Sequence, residues 1–230
     1  NIKSDLHKKI SSKISVDGLV IAKFSRSVFK DMQKGQITAA NCTCSVWENF
    51  YQTIENLTKW NDHFKRNNDI IYHVKSYKDI SKAHAEGKVG IILGWQNTSA
   101  IENDLKKLKI FYDLGIRVAQ LTYNTQNLVG SGCWETCDGG LSDFGKDVVL
   151  EMNRLGMVID LSHVGPKTSS DTINLSKSPV TYTHCCPALK KHPRNKTDFQ
   201  LKEIANKGGM VGFASYTPFL PKGSNSNIDD

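Results

Sequence analysis

The sequence predicts an α/β fold, a (β/α)8 TIM barrel, and three observations carry that prediction. Short apolar runs without polar alternation recur along the chain, the pattern of strands covered on both faces. Helical periodicity separates successive runs, which places a helix after nearly every strand. Two of the runs end in a histidine and then turn: Met157-Val158-Ile159-Asp160-Leu161-Ser162-His163 before Val164-Gly165-Pro166, and Pro179-Val180-Thr181-Tyr182-Thr183-His184 before Cys185-Cys186-Pro187. In a barrel of parallel strands the functional groups stand at such carboxyl ends. A doubly wound sheet is the runner-up, but no Gly-rich phosphate-binding turn follows the first strand.

Residues 1–13 have the pattern of an amphipathic first turn or helix, and 14–21 that of the first strand. A short helix over 27–34 closes at Gly35, and 37–43 forms the second strand. Over 46–67 a long helix is expected, because Trp47, Phe50, Ile54, Leu57, Trp60 and Phe64 step by three and four into a core-facing stripe. A helix over 76–86 runs from a serine cap to Gly87, and 89–96 is the third strand. The helix over 101–114 turns Leu105, Leu108, Phe111 and Tyr112 inward and ends at Gly115; 117–123 is the fourth strand. A polar loop over 124–140 is long enough to be functional. Ser142 caps a helix over 142–155, stopped by Gly156. The strands ending in His163 and His184 are the fifth and sixth, helices follow over 168–175 and 197–207, and 208–214 is the seventh strand. An open barrel of that count would leave unpaired edges on its first and seventh strands. The eighth strand is therefore expected beyond Asp230, with 1–230 a single barrel domain truncated at its C-terminus.

The net charge of +7 comes from lysines scattered in pairs, such as Lys106-Lys107 and Lys190-Lys191, without the interleaved aromatics that single-stranded nucleic acid requires. No nucleic-acid partner is expected. No apolar run approaches the roughly 18 to 20 residues of a membrane span, and the polar start has no signal-peptide centre. A cytoplasmic location is the expectation, and the six cysteines fit a reducing compartment better than a secreted disulfide framework.

His163 and His184, at matching strand ends, are the candidate metal ligands. His7, His63, His73 and His84 fall in helical or connecting segments and are expected at the surface, while Asp160 reads as structural and Asp17 as lining one end of the barrel. Cys42, Cys44 and Cys185 offer a rival thiolate chemistry, but no doubled Cys-x-x-Cys spacing accompanies them, and buried inert thiols are the favoured reading. Cys133 and Cys137 would pack the long loop.

Asp160-Leu161-Ser162-His163-Val164-Gly165, Thr183-His184-Cys185-Cys186-Pro187 and His192-Pro193-Arg194-Asn195-Lys196-Thr197-Asp198 together resemble the membrane (renal) dipeptidase family of zinc metallopeptidases. Asp17-Gly18, Tyr112-Asp113-Leu114-Gly115, Leu121-Thr122-Tyr123-Asn124 and Gly140-Leu141-Ser142-Asp143-Phe144-Gly145 extend the resemblance over nearly the whole chain. It implies an amidohydrolase-type barrel with two zinc ions bridged by a glutamate, and a homodimer. His163 and His184 match second-site zinc ligands, and Arg194 matches the arginine that receives the substrate carboxylate, a task its planar fork suits.

The departures cluster in the first half of the chain. Leu19 and Ile21 stand where the family has the first-strand histidine and aspartate. Gln96 takes the place of the bridging glutamate, and Tyr123 that of a histidine which helps hold the tetrahedral intermediate. One zinc ion or none is the expectation these residues leave, with His163 and His184 as ligands and either Gln96 or the family's eighth-strand aspartate, expected beyond residue 230, as the third. Tyr123 would then act catalytically as a donor to the developing oxyanion and bind substrate alongside Arg194. The expected function is a metal-dependent hydrolase cleaving a dipeptide-type amide in a small carboxylate-bearing substrate. The alternatives are a catalytically silent barrel that binds a small carboxylate, and an amidohydrolase acting on a non-peptide substrate.

Overall fold

The first strand, β1 (Val16–Val20), pairs with β2 (Ala39–Ser45), and each later pairing is again parallel. A computed structural model describes residues 13–227, so the helix expected over 1–13 falls, but for its last residue, outside the described residues. After β2 come β3 (Ile71–His73), β4 (Val89–Trp95), β5 (Ile116–Gln120), β6 (Val158–Asp160), β7 (Thr181–Cys185) and β8 (Met210–Phe213). Neighbours in the sheet follow the order β1-β2-β4-β5-β6-β7-β8, with β3 off that path. The order never reverses, which rules out the doubly wound alternative. The result is a nearly closed barrel with helices between its strands.

The helices are α1 (Arg26–Lys34), α2 (Phe50–Arg66), α3 (Tyr77–Ala85), α4 (Lys106–Leu114), α5 (Asp143–Leu155), α6 (Pro166–Leu175) and α7 (Asp198–Asn206). Local chemistry sets their starts: Asn49 with Gln52 forms a capping box on α2, Thr197 with Gln200 forms another on α7, and the Ser142 hydroxyl accepts from Gly145 N on α5. Pro166, at the first turn of α6, loses no hydrogen bond there. Helices α1, α2 and α5 lay an apolar face on the sheet, with Phe29 and Met32 of α1, Leu57 and Trp60 of α2, and Val148, Val149 and Met152 of α5, whereas α6 buries mainly Thr168, Ser169 and Thr172. Among the described residues no helix is long and apolar enough to cross a membrane.

Four expectations change. β3 was not foreseen: at three residues it is too short for a periodicity signal, and it exists because β4 offers one edge in two halves. Ile71, Tyr72 and His73 pair with Val89, Gly90 and Ile91, while β5 takes the same edge from Leu93 onward. Trp47 leaves the helical stripe, since α2 begins only at Phe50, and it stands exposed near the barrel mouth. His73 is not a surface group either. It stacks on Phe64 at 4.3 Å and lies under Gly115, whose φ of +114° and missing side chain make room for the imidazole. Burial first, and Lys75 second, pull the His73 pKa down to about 4. His63 likewise packs, edge-on, against Phe29 and Trp60.

β1 and β8 end the path without pairing to each other. Both edges show apolar side chains to solvent, with Val16 at 47%, Met210 at 56% and Phe213 at 67% exposure. Inside, Gly18 of β1 and Gly212 of β8 both close on the Thr183 carbonyl, where any Cβ would overlap it.

Two outcomes follow from this architecture. The unpaired β1 and β8 edges should self-associate, so light scattering after gel filtration of a protein of residues 1–230 should show oligomers that Met210→Lys with Phe213→Lys shifts toward monomer; a monodisperse parent contradicts this. Acid also destabilises the fold through His73, whose folded pKa lies below the unfolded value. Its contribution is full above about pH 6.5 and is lost as the pH falls toward 4. The melting temperature should drop by at least roughly 5 °C from pH 7 to pH 5, and His73→Gln should flatten that slope.

Candidate functional site

The carboxyl ends of the strands open into a cavity of about 850 Å³ lined by His163, His184, Gln96, Tyr123 and Arg194, with Asp17, Leu19 and Ile21 on the β1 side. Every site residue singled out from the sequence reaches this one space. His163 gets there because β6 ends at Asp160 and the chain then turns into α6 through Gly165. That turn is held from the long loop: Cys133 N donates to His163 O, Gly165 N donates to Ser131 O, and Gly132 bridges Val164. His184 projects from β7 itself.

The two imidazoles meet at His163 Nε2 and His184 Nε2, 3.0 Å apart. Their other nitrogens are engaged. His163 Nδ1 lies 2.6 Å from Asn124 Oδ1, an acceptor, so Nδ1 donates and Nε2 keeps its lone pair. His184 Nδ1 lies 2.7 Å from Thr183 Oγ1. Both rings are driven far toward the neutral form, chiefly by burial; Arg194 adds to this for each, while Asp160 opposes it at His184. Tyr123 stacks on His163 at 4.0 Å with 21° between the rings, and Trp47 meets Tyr123 edge-on at 5.1 Å.

Arg194 is almost completely buried. Its NH1 donates to Ser162 O and its NH2 to His184 O at 3.0 Å, so the guanidinium ties together the two strand ends that carry the histidines. Each of these nitrogens keeps a second N–H beyond the bond it makes. Lys196, two residues on, was not foreseen as part of the site. It is 1% exposed, with Nζ 3.4 Å from Leu161 O, 3.3 Å from Val164 O and 4.6 Å over the Tyr182 ring. Burial and the neighbouring Arg194 lower its pKa to about 8. Asn124 and Trp47 were missed as well. Asn124 had one legible signal, its place at the end of the fourth-strand motif; its positive φ of 64° did not show in the sequence.

All six cysteines are unpaired. Burial raises Cys42 and Cys44 far above a normal thiol and Cys185 to about 11, which removes the thiolate alternative at those positions.

Two ligating nitrogens on a tetrahedral zinc stand about 3.3 Å apart, given Zn–N bonds of roughly 2.0–2.1 Å. The histidine pair is close to that spacing already. His163 turns its Nε2 lone pair into the gap, and His184 turning its own inward would leave a place for a positive charge between them, so this half of the mouth fits one metal ion. The other half does not fit a second: Leu19 and Ile21 have no donor atoms, and no cluster of three or more His, Cys, Asp or Glu exists among the described residues. Gln96 Nε2 donates to Thr43 Oγ1 at 3.1 Å, which leaves Oε1 as the atom a cation would take.

Comparison with known proteins follows the same lines. A sequence profile of the membrane dipeptidase family, peptidase family M19, matches residues 14–230. An uncharacterised dipeptidase of Schizosaccharomyces pombe is 34% identical over 173 residues, which is 72% of this chain and 42% of that protein. A second from the same yeast is 34% identical over 145 residues, 61% of this chain and 36% of that protein. The chain thus spans less than half the length of these relatives. Among solved structures, an amidohydrolase from Pseudomonas aeruginosa is 51% identical with a TM-score of 0.94, covering 97% of this chain and 69% of that one. A metallopeptidase from Rhodobacter sphaeroides, liganded with a phosphinate mimic of the dipeptide L-Ala-D-Ala, shares the fold at 22% identity with a TM-score of 0.81, over 93% of this chain and 77% of that one.

Proposed function

The chain belongs to the membrane dipeptidase family, and on that footing we propose that it is part of a metal-dependent hydrolase that cleaves a dipeptide-type amide in a small, carboxylate-bearing substrate. The observation that carries this reading is the neutral pair His163 and His184, with Nε2 atoms 3.0 Å apart at one end of a cavity large enough for a dipeptide. One ion, zinc by its preference for imidazole nitrogen, would be held by these two residues with Gln96 Oε1 as a third ligand. Once bound, it would supply Lewis acidity toward the scissile carbonyl and lower the pKa of water at the site.

The chain's own groups do the rest. Tyr123, fixed between His163 and Trp47, offers a phenol hydroxyl to the oxygen on which negative charge develops. Arg194 uses its spare N–H groups to receive the substrate carboxylate while its other bonds hold Ser162 O and His184 O, so orientation of the substrate and spacing of the histidines depend on the same side chain. Leu19 and Ile21 present apolar surface on the opposite wall. The unpaired thiols support a reducing, cytoplasmic setting. Homodimerisation rests on family resemblance.

A second reading, amidohydrolase chemistry on a non-peptide substrate, is favoured by the amidohydrolase from Pseudomonas aeruginosa at 51% identity. Profiling dipeptides against other small amides separates the two.

Elemental analysis of the purified full-length protein should find about one metal ion per chain. His163→Ala and His184→Ala should each abolish that stoichiometry and lower kcat by at least about 10²-fold. A protein without stoichiometric metal, whose turnover survives both changes, sinks the proposal; ligand-induced thermal stabilisation that is insensitive to chelators, without turnover, would instead identify a silent carboxylate-binding barrel. Restoring the first-strand donors with Leu19→His, Ile21→Asp and Gln96→Glu together should raise the metal count toward two.

A further inference from the structure

Asp160 is 1% exposed, and its carboxylate takes all its hydrogen bonds from neutral donors on two strand ends. Oδ1 accepts from Ser162 N at 3.0 Å, Ser162 Oγ at 2.6 Å and Thr183 N at 3.0 Å. Oδ2 accepts from one donor, Thr183 Oγ1 at 2.7 Å. Both hydroxyls pass the contact on to the histidine of β7: Thr183 Oγ1 lies 2.7 Å from His184 Nδ1, and Ser162 Oγ accepts from His184 N at 3.1 Å.

A hydroxyl has one hydrogen to give. Thr183 gives it to Asp160 Oδ2, because a carboxylate oxygen 2.7 Å away can only accept. Thr183 Oγ1 therefore meets His184 Nδ1 with a lone pair, and Nδ1 must carry the imidazole proton. Nε2 is left bare, facing His163 Nε2. The carboxylate thus decides, at one remove, which nitrogen of His184 can bind a cation, much as carboxylates oriented behind ligating histidines do elsewhere.

We propose that Asp160 is a positioning residue which, through the Thr183 hydroxyl, fixes the tautomer and aim of His184 and so sets the affinity of the histidine pair for a metal ion. Only the metal consequence rests on the function proposed above; the tautomer follows from the hydrogen bonds alone. The asymmetry of the carboxylate makes the relay reversible by a single isosteric change. In Asp160→Asn the side-chain carbonyl keeps the three donors that now converge on Oδ1, and the amide nitrogen takes the place of Oδ2. That nitrogen donates to Thr183 Oγ1, the hydroxyl turns its hydrogen toward His184 Nδ1, and the imidazole proton moves to Nε2.

The test is imidazole-nitrogen NMR on the metal-free, histidine-labelled chain, paired with calorimetric zinc titration, for the parent, Asp160→Asn, Thr183→Val and Thr183→Ser. The expected result is a proton on His184 Nδ1 in the parent and in Thr183→Ser, on Nε2 in Asp160→Asn, and no fixed preference in Thr183→Val. Zinc affinity should fall by about 10- to 100-fold in Asp160→Asn and Thr183→Val and be retained in Thr183→Ser. Should Asp160→Asn fail to fold, Thr183→Val, which preserves side-chain volume, carries the test. His184 keeping its Nδ1 proton in Asp160→Asn, or parental tautomer and affinity in Thr183→Val, overturns the inference. If the tautomer switches but the parent chain takes no zinc, the positioning role stands and the metal reading fails; if zinc binds and the tautomer does not move, the reverse holds.

Discussion

Two neutral imidazoles held with bare nitrogens 3.0 Å apart are a costly arrangement, and most of the polar structure at the barrel mouth exists to maintain it. Left to themselves in water, the rings would turn or protonate. Burial disfavours the protonated state at both rings, and the charges of Arg194 and Lys196 add to that, with Asp160 opposing it at His184. Hydrogen bonds to the far nitrogens remove rotation: an amide oxygen at His163, a hydroxyl at His184. What remains is an electron-rich gap whose most favourable occupant is a cation.

The cations around that gap are placed so as not to fill it. Arg194 and Lys196 both come from the segment between β7 and α7, and both turn their charge onto main-chain carbonyls of the β6 turn. The carbonyl oxygens of Ser162 and Val164 would otherwise be buried acceptors beneath the cavity floor, at a cost of order 1–3 kcal/mol each when unmet, while Leu161 O already accepts from Val164 N. The same bonds stop the turn from drifting, so a basic segment that resembles a substrate clamp in sequence is in the structure a brace for the strand end that carries His163. A single side chain can serve both purposes because a guanidinium has five donors and the brace uses two.

The fold was largely legible in the sequence because its signals are local. Apolar runs such as 89–96 and 157–163 and the glycine stops at Gly115 and Gly156 depend on neighbours a few residues away, and the structure has strands and helix ends there. β3 escaped because three residues carry no period, and because its existence depends on an edge of β4 that only the assembled sheet provides. In the site, His163 and His184 were found by their position after strand-length runs. Lys196 and Asn124 were not, since their roles are set by carbonyls and rings brought from Leu161, Val164 and His163, far off in the chain. His73 was misread for the same reason: its burial depends on Phe64 and on the missing side chain of Gly115.

The partners of the histidine pair also explain how half of the mouth can change without the other half. The bonds that set the spacing and aim of His163 and His184 come from Asn124 after β5, from Asp160 and Ser162 on β6 and its turn, from Thr183 on β7, and from Arg194 and Lys196 beyond it. Among the described residues none of these hydrogen bonds reaches β1, β2 or β4, although Gly18 of β1 packs against the Thr183 carbonyl, and Trp47 meets the ring of Tyr123. Leu19, Ile21 and Gln96 line that other side of the cavity, yet carry none of the hydrogen bonds that hold the pair. Because a barrel delivers each side chain from a separate strand, side chains on β1 and β4 can be apolar or amide groups while the histidines at the ends of β6 and β7 keep their geometry. Substitution on one arc of such a barrel can therefore change the donor set of the mouth with no loss of fold and no rearrangement of the histidine pair.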